Sequence, residues 1–431
     1  MKVLMFGWEF PPHISGGLGT ACYGLTKGLL QNDVEVLFVV PKAFGDEDNK
    51  DIKLISANNI PIPQYSLANE FLSEKFTYYG LNSELVPYLD TEQFNQYSGE
   101  LTKPANQKRN NTFYSNFEFT GQYGKNLLNE VWNYALVASQ IAKDNTFDII
   151  HAHDWLSFPA GLLAKQASGK PLVVHVHATE FDRSGEHINH EVFEIEQQGM
   201  ELADKVIAVS EYTRQIIINR YGIPADKVEV IHNAVENIEK NISEDNYKNT
   251  FPEKIVTYLG RVTFQKGPEY FIEAAAKVLE KDKNYRFVMA GSGDMLNRMI
   301  RKAASLRISS HFHFTGFLKG KDVDRIFGMS SVYVMPSVSE PFGISPLEAV
   351  KSGVPVIISN QSGVKEVLKH AIKIDFWDTD AMANAIFALT KFDGLSKMFI
   401  RESKKEMDSL KWNIQAKKIK EIYHQQLISS L

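Results

Sequence analysis

At 431 residues the chain exceeds what a single hydrophobic core normally supports, so two domains are expected. With 47 basic against 52 acidic residues the net charge is −5, which argues against a binder of duplex nucleic acid. The single cysteine, Cys22, excludes an internal disulfide and a cysteine-based metal site.

The first apolar run, Val3–Phe6, soon meets Pro11-Pro12 and is too short for a signal peptide. No stretch approaches the ~18 uninterrupted apolar residues of a membrane span, so the expected compartment is the cytoplasm. Further apolar, β-branched runs follow at Val34–Val40, Phe147–His151, Leu172–His177, Val206–Val209 and Val228–Ile231, with helical patterns between them. Near-continuous apolar strands alternating with helices read as a parallel sheet covered on both faces. Residues from about 42 to 120 are rich in Asn, Tyr and Phe and follow no period. They are read as an elaboration of the first domain, a lid or an acceptor surface. The polar stretch Asn237–Pro252 reads as a linker.

A second series then begins with Ile255–Leu259, Arg286–Ala290, His311–Phe314, Val332–Met335 and Val356–Ile358. The expected organisation is therefore two doubly wound α/β domains, 1–236 and 253–410, joined by residues 237–252. The final segment, 411–431, carries Trp412, Ala416, Ile419 and Tyr423 at helical spacing.

Several segments suit a ligand. Ser15-Gly16-Gly17-Leu18-Gly19-Thr20 follows the first strand and opens a helix. Its glycines let backbone amides approach a phosphate or sugar at the positive end of the helix, although a tight turn without ligand fits as well. After Ile255–Leu259 comes Gly260-Arg261, with Lys266-Gly267 shortly beyond. Ligands of open α/β sheets bind at the carboxyl ends of strands. Two fixed cations there can neutralise a diphosphate leaving group in place of a divalent metal; two solvated charges are the plainer alternative.

Glu340 ends the connection after Val332–Met335 and reads as a site residue. Glu348 has two readings, because Ser345-Pro346-Leu347-Glu348 is also a capping box with Ser345 as N-cap. Asp378-Thr379-Asp380 precedes a helical pattern and reads as a cap rather than a metal site. Gly291-Ser292-Gly293-Asp294 is too short a signal for a dinucleotide site. The alternating histidines of His151-Ala152-His153-Asp154-Trp155 and His175-Val176-His177 invite a zinc reading, since residues i and i+2 of a strand share a face. Ligation requires several groups to converge, which a sequence does not display. Strand-end histidines donating hydrogen bonds to a sugar in a cleft are the preferred reading. Cys22 reads as a small packed residue.

Taken in order, these segments resemble the retaining GT-B glycosyltransferases over nearly the whole chain. The resemblance is carried by Glu340 and Glu348 with seven residues between them, by Gly260-Arg261 with Lys266-Gly267, by Val230-Ile231-His232-Asn233-Ala234-Val235, and by Ser362-Gly363. Within that group, Gly16-Gly17-Leu18-Gly19 and His151-Ala152-His153-Asp154-Trp155 look like glycogen and starch synthases. The resemblance implies two Rossmann-like domains facing each other across a cleft, with the last helix crossing back onto the first. It implies catalytic roles for His177, Glu340, Arg261 and Lys266. Gly16, Gly17, Gly343, Ile344, Glu348, Ser362 and Gly363 would lie on the donor and nucleotide side, and Asp154 on the acceptor side. No metal and no cofactor are expected, the donor being ADP- or UDP-glucose and the acceptor an α-1,4-glucan.

Two departures keep other acceptors open. Ile14 stands where bacterial glycogen synthases carry a lysine. The sequence around Glu348 is closer to transferases that build other glycans, disaccharides and lipid-linked sugars. A small, lipid-linked or cell-envelope acceptor is therefore the alternative. A sugar-nucleotide epimerase and a non-catalytic glucan-binding relative stand behind it.

Overall fold

The computed structural model describes residues 1–13, 16–47, 52–58, 60–63, 114–115, 117–121, 123–124, 126–235 and 252–429. Ile14, Ser15, most of the elaboration between 42 and 120, and the linker residues 237–251 lie outside the described residues.

The chain builds two parallel sheets. The first contains β1 (Lys2–Phe6), β2 (Glu35–Val40), β3 (Lys53–Ser56), β6 (Ile149–His153), β7 (Leu172–Val176), β8 (Lys205–Ala208) and β9 (Val228–Val230), in the order β3-β2-β1-β6-β7-β8-β9. A separate short antiparallel pair joins β4 (Ile62–Pro63) to β5 (Tyr114–Ser115). The second large sheet contains β10 (Lys254–Leu259), β11 (Tyr285–Ala290), β12 (Phe312–Gly316), β13 (Val332–Met335), β14 (Val356–Ser359) and β15 (Ile372–Ile374), in the order β12-β11-β10-β13-β14-β15. Helices cover both faces, which is why the central strands are apolar along their length: Val3 to Phe6 and Val332 to Val334 are each 0% exposed.

Two edge strands escaped the sequence reading. Lys53–Ser56 is half exposed and Ile372–Ile374 has only three residues, so neither shows a continuous apolar run. Strand β6 also starts two residues later than its apolar run. Asp148 is occupied outside the ladder, its carboxylate accepting from the Lys2 amide at 2.7 Å, and pairing with β1 begins at Ile149. His151 and His153 are therefore both strand residues.

The last helix, Trp412–Ser429, lies against the first helix, α1 (Gly17–Leu30). The contact depends on two missing side chains. A Cβ on Gly24 would sit 2.2 Å from the Trp412 indole nitrogen, and one on Gly28 2.5 Å from the Trp412 carbonyl. Asn32 donates to the Asn413 carbonyl at 2.9 Å, and Lys420 donates to the Asn32 carbonyl at 2.6 Å. The chain leaves the first half at Val235 beside the point where it returns, because the Val235 amide donates to the Leu410 carbonyl at 3.2 Å. Among the described residues no helix is long and apolar enough to cross a membrane.

Candidate active site

The loops that follow the carboxyl ends of the strands in both parallel sheets carry the candidate site residues. On the first sheet, Gly16 and Gly17 open α1. A Cβ at either would meet nothing within 4 Å, so these glycines leave open space rather than serve packing. Asp154, immediately after β6, adopts a left-handed φ of 59°. Its carboxylate accepts from the amides of His177 at 2.6 Å and Ala178 at 3.3 Å, so it fixes the backbone at the end of β7. Burial raises its carboxyl to about 7 against the opposing pull of Arg183.

The four histidines divide. His151, His153 and His175 are 0–2% exposed, and their face of the sheet is covered by α1 and the last helix; the cleft-facing reading does not hold for these three. The physical reason is strand parity, which puts them on the same face as Ile149 and Val173 in the core. His177, just past β7, is half-buried. Its Nε2 is paired with Nδ1 of His153 at 3.0 Å, its Nδ1 has no partner, and burial lowers its pKa to about 3. The ring is therefore neutral near pH 7.

A short helix, Glu180–Ser184, continues from His177 through a reciprocal cap between Thr179 and Asp182. Behind it Arg183 is buried against Glu180 and Glu196, and the Tyr221 hydroxyl also donates to Glu196.

On the second sheet, Lys266 donates to Oε2 of Glu340 at 2.6 Å, and the Ser337 hydroxyl donates to the same oxygen at 3.2 Å. Backbone bonds knit Glu340 to the loop after β14: its amide donates to Gln361, and the Gly363 amide donates to its carbonyl. Gly363 is confined by packing, since a Cβ there would lie 2.2 Å from the Pro341 carbonyl oxygen. The Ser362 hydroxyl is turned inward, donating to the Ser359 carbonyl at 2.6 Å. Arg261 directs its guanidinium toward Gln265, 3.3 Å away. Gly343, with φ of 99°, precedes Ile344, which packs on the same apolar cluster as Leu18 of α1.

The capping box is not formed. The helix Ser345–Lys351 has Ile344 as its N-cap, and the Ser345 hydroxyl is bonded instead to Tyr333 at 2.7 Å. Glu348 is thereby released from a structural duty, and among the described residues no group donates a hydrogen bond to its carboxylate. Burial raises its pKa, and Asp324 adds to the effect. Asp378, by contrast, does cap its helix, accepting from the Ala381 amide at 2.8 Å.

Side chains from the two halves meet directly. Ser339, next to Glu340, donates to Asp182 at 2.5 Å, so Tyr212 supplies the proton in its own 3.0 Å bond to Ser339. Ser210 donates to the Pro341 carbonyl at 2.5 Å. Glu366 accepts from the Glu211 and Tyr212 amides, each at 2.9 Å, and bonds His232 at 2.9 Å. Apart from His232, which lies in the Val230–Val235 segment, these linkers were missed in the sequence; only Thr179-x-x-Asp182 leaves a recognisable capping signature there. Through Thr179, Asp182 and Ser339 the loop that carries His177 is tied to the loop that carries Glu340. The arrangement sets a neutral imidazole on one wall and two cations with a fixed carboxylate on the other, which suits a sugar carrying an anionic leaving group. Donor atoms of His151, His153 and His175 also converge, to within 4.8 Å of one another.

Two family models cover successive parts of the chain: Glycosyltransferase Family 4 at residues 106–237 and Glycosyl transferases group 1 at residues 239–406. The chain is 27% identical to an uncharacterized glycosyltransferase of Methanocaldococcus jannaschii, over 98% of both chains. It is 23% identical to a glycogen synthase of Mycobacterium tuberculosis over 85% of this chain and 80% of that one. Among solved structures it is similar to Anabaena HepE in complex with UDP and glucose, with a TM-score of 0.67, 17% identity and complete coverage of both chains. The two sheets, the order of the site segments along them and these matches agree: the chain belongs to the group 1 glycosyltransferases and has the GT-B fold.

Proposed function

We propose that this enzyme moves a glucosyl unit from ADP- or UDP-glucose to an α-1,4-glucan, retaining the configuration at the anomeric carbon and using no divalent cation at the diphosphate. The observation that carries the reading is the pair Arg261 and Lys266 at the carboxyl end of β10, with Lys266 braced by Glu340. Two fixed cations supply at a diphosphate what a metal ion otherwise would. Binding of UDP and glucose by HepE supports a nucleotide-sugar donor, and likeness to a glycogen synthase supports the glucan acceptor.

In this reading Arg261 and Lys266 bind the diphosphate, Glu340 contacts the sugar hydroxyls, and Glu348 contacts the ribose. Gly16 and Gly17 admit the donor phosphate close to the backbone of α1. Nδ1 of His177, the ring atom left without a partner, hydrogen-bonds the sugar near its reacting carbon. Being neutral, the ring adds no charge against the positive charge that develops there. The bond from the anomeric carbon to the phosphate oxygen breaks, and the bond to the acceptor oxygen forms on the same face. The acceptor's proton passes to the departing phosphate oxygen, so the protein contributes positioning and charge stabilisation.

A second reading, transfer to a small or lipid-linked acceptor, is favoured by Ile14 in place of a lysine. The two are separated by measuring nucleotide release from ADP-glucose and UDP-glucose in chelator, with and without glycogen or short maltooligosaccharides. Rapid, glucan-dependent release is the expected result. Slow release indifferent to glucan moves the acceptor to the second reading, and a chain that binds neither nucleotide sugar overturns both.

A further inference from the structure

Buried polar atoms in folded proteins are almost always hydrogen-bonded, and the exceptions call for an explanation. Among the described residues, five of the nine such side-chain atoms belong to one cluster of histidines. Nε2 of His151, Nε2 of His153, both ring nitrogens of His175 and Nδ1 of His177 are buried without partners. Nδ1 of His177 is the atom assigned above to the sugar, but the first three residues are sealed beneath α1 and the last helix and meet no substrate.

Their geometry is that of a ligand set. One donor atom from each of His151, His153 and His175 falls within 4.8 Å of the other two, and the imidazoles of His151 and His153 stand 4.4 Å apart between ring centres. Tetrahedral zinc, with bonds to nitrogen of about 2.0–2.1 Å, sets its ligands about 3.4 Å apart, so the three rings would turn inward to close on the ion. Strand register holds the set, because His153 and His175 are direct partners in the β6–β7 ladder.

The opposite ring nitrogens are held as well. Nδ1 of His151 is bonded to the Tyr423 hydroxyl at 2.5 Å, and Nδ1 of His153 to His177 at 3.0 Å. An outer partner on one nitrogen is how metal-binding histidines are oriented, leaving the other nitrogen to the ion. Imidazole donors without carboxylates suit zinc rather than magnesium or calcium.

We propose that Nε2 of His151, Nε2 of His153 and one ring nitrogen of His175 bind a Zn²⁺ ion. The ion ties β6 and β7 to the last helix through Tyr423. It sits apart from Arg261 and Lys266 and takes no part in neutralising the diphosphate, so the site stands or falls independently of the sugar-transfer reading.

The test uses the full chain purified without a polyhistidine tag and dialysed against EDTA, with zinc counted by mass spectrometry. About one equivalent per chain should survive dialysis and be released to a chromophoric chelator only on unfolding in guanidinium. His175→Phe should lose the ion. His13→Ala should keep it, since His13, Asp46 and Glu47 form an exposed group, among the described residues, where a surface ion could lodge. Should His175→Phe fail to fold, refolding the wild-type chain with Co²⁺ should give the visible absorption of a tetrahedral nitrogen site. Wild-type chain that holds less than about a tenth of an equivalent, both as isolated and after refolding with Zn²⁺, overturns the proposal. Zinc retained by His175→Phe but lost from His13→Ala overturns it equally.

Discussion

Lys266 serves two partners in the proposed mechanism, the carboxylate of Glu340 behind it and the diphosphate in front. Lys266→Ala should lower turnover by ~10²-fold or more, as removal of one charge-stabilising group does, in a variant whose melting temperature shows it folded. A folded variant with an unchanged rate would remove Lys266 from the mechanism. Glu348 allows a sharper test than the sequence promised. Ser345-x-x-Glu348 has the pattern of a capping box, but Tyr333 takes the serine hydroxyl and the helix starts at a different residue. Glu348→Gln therefore loses no cap, a loss that typically costs about 1 kcal/mol. Burial raises this carboxyl's pKa, so its contribution to stability is fully present below the ordinary carboxylate range and is lost as pH rises through the raised value. The glutamine variant should bind nucleotide more weakly yet melt no lower than wild type at pH 8, with any advantage vanishing toward pH 4. A drop in melting temperature at pH 8 would restore a structural role.

Among the elements, the strands were legible where they lie in the middle of a sheet, because a strand buried on both faces is a continuous apolar run. Lys53–Ser56 and Ile372–Ile374, at the sheet edges, were not. Alternation correctly placed His151 and His153 on one face, but which face belongs to the core is decided by the helices that cover it. The last helix was legible from Trp412, Ala416, Ile419 and Tyr423, yet nothing in the pattern of α1 marked Gly24 and Gly28 as its seat. Gly24→Ala tests that fit directly. Its Cβ would overlap the Trp412 indole, and overpacking of this kind costs about 1–3 kcal/mol. Thermal unfolding should show the loss, and adding Trp412→Phe should recover part of it. A Gly24→Ala chain as stable as wild type would mean that the two helices separate easily.

For the whole molecule, Glu366 is one of the groups that join the two halves, and its carboxylate makes that joint sensitive to pH. Burial alone would raise its carboxyl, but His232 and the two amides at the start of the helix Glu211–Tyr221 prevail and hold it below its usual range. Its contribution is fully present above the ordinary carboxylate range and is lost as pH falls through the depressed value. Wild type should therefore melt above Glu366→Gln at pH 7, with the gap closing on acidification; a gap independent of pH would assign the bond another origin. The chain's two crossings between the halves have a further consequence. Val235 and Leu410 lie side by side, so the chain leaves the first half and returns to it at one place, as the pages of a book share its spine. Any opening of the two halves would turn about that place. Residues near the spine barely travel when the book opens, whereas those at the far lip travel most. A label placed at increasing distance from Val235 would thus read the same angle as a growing displacement.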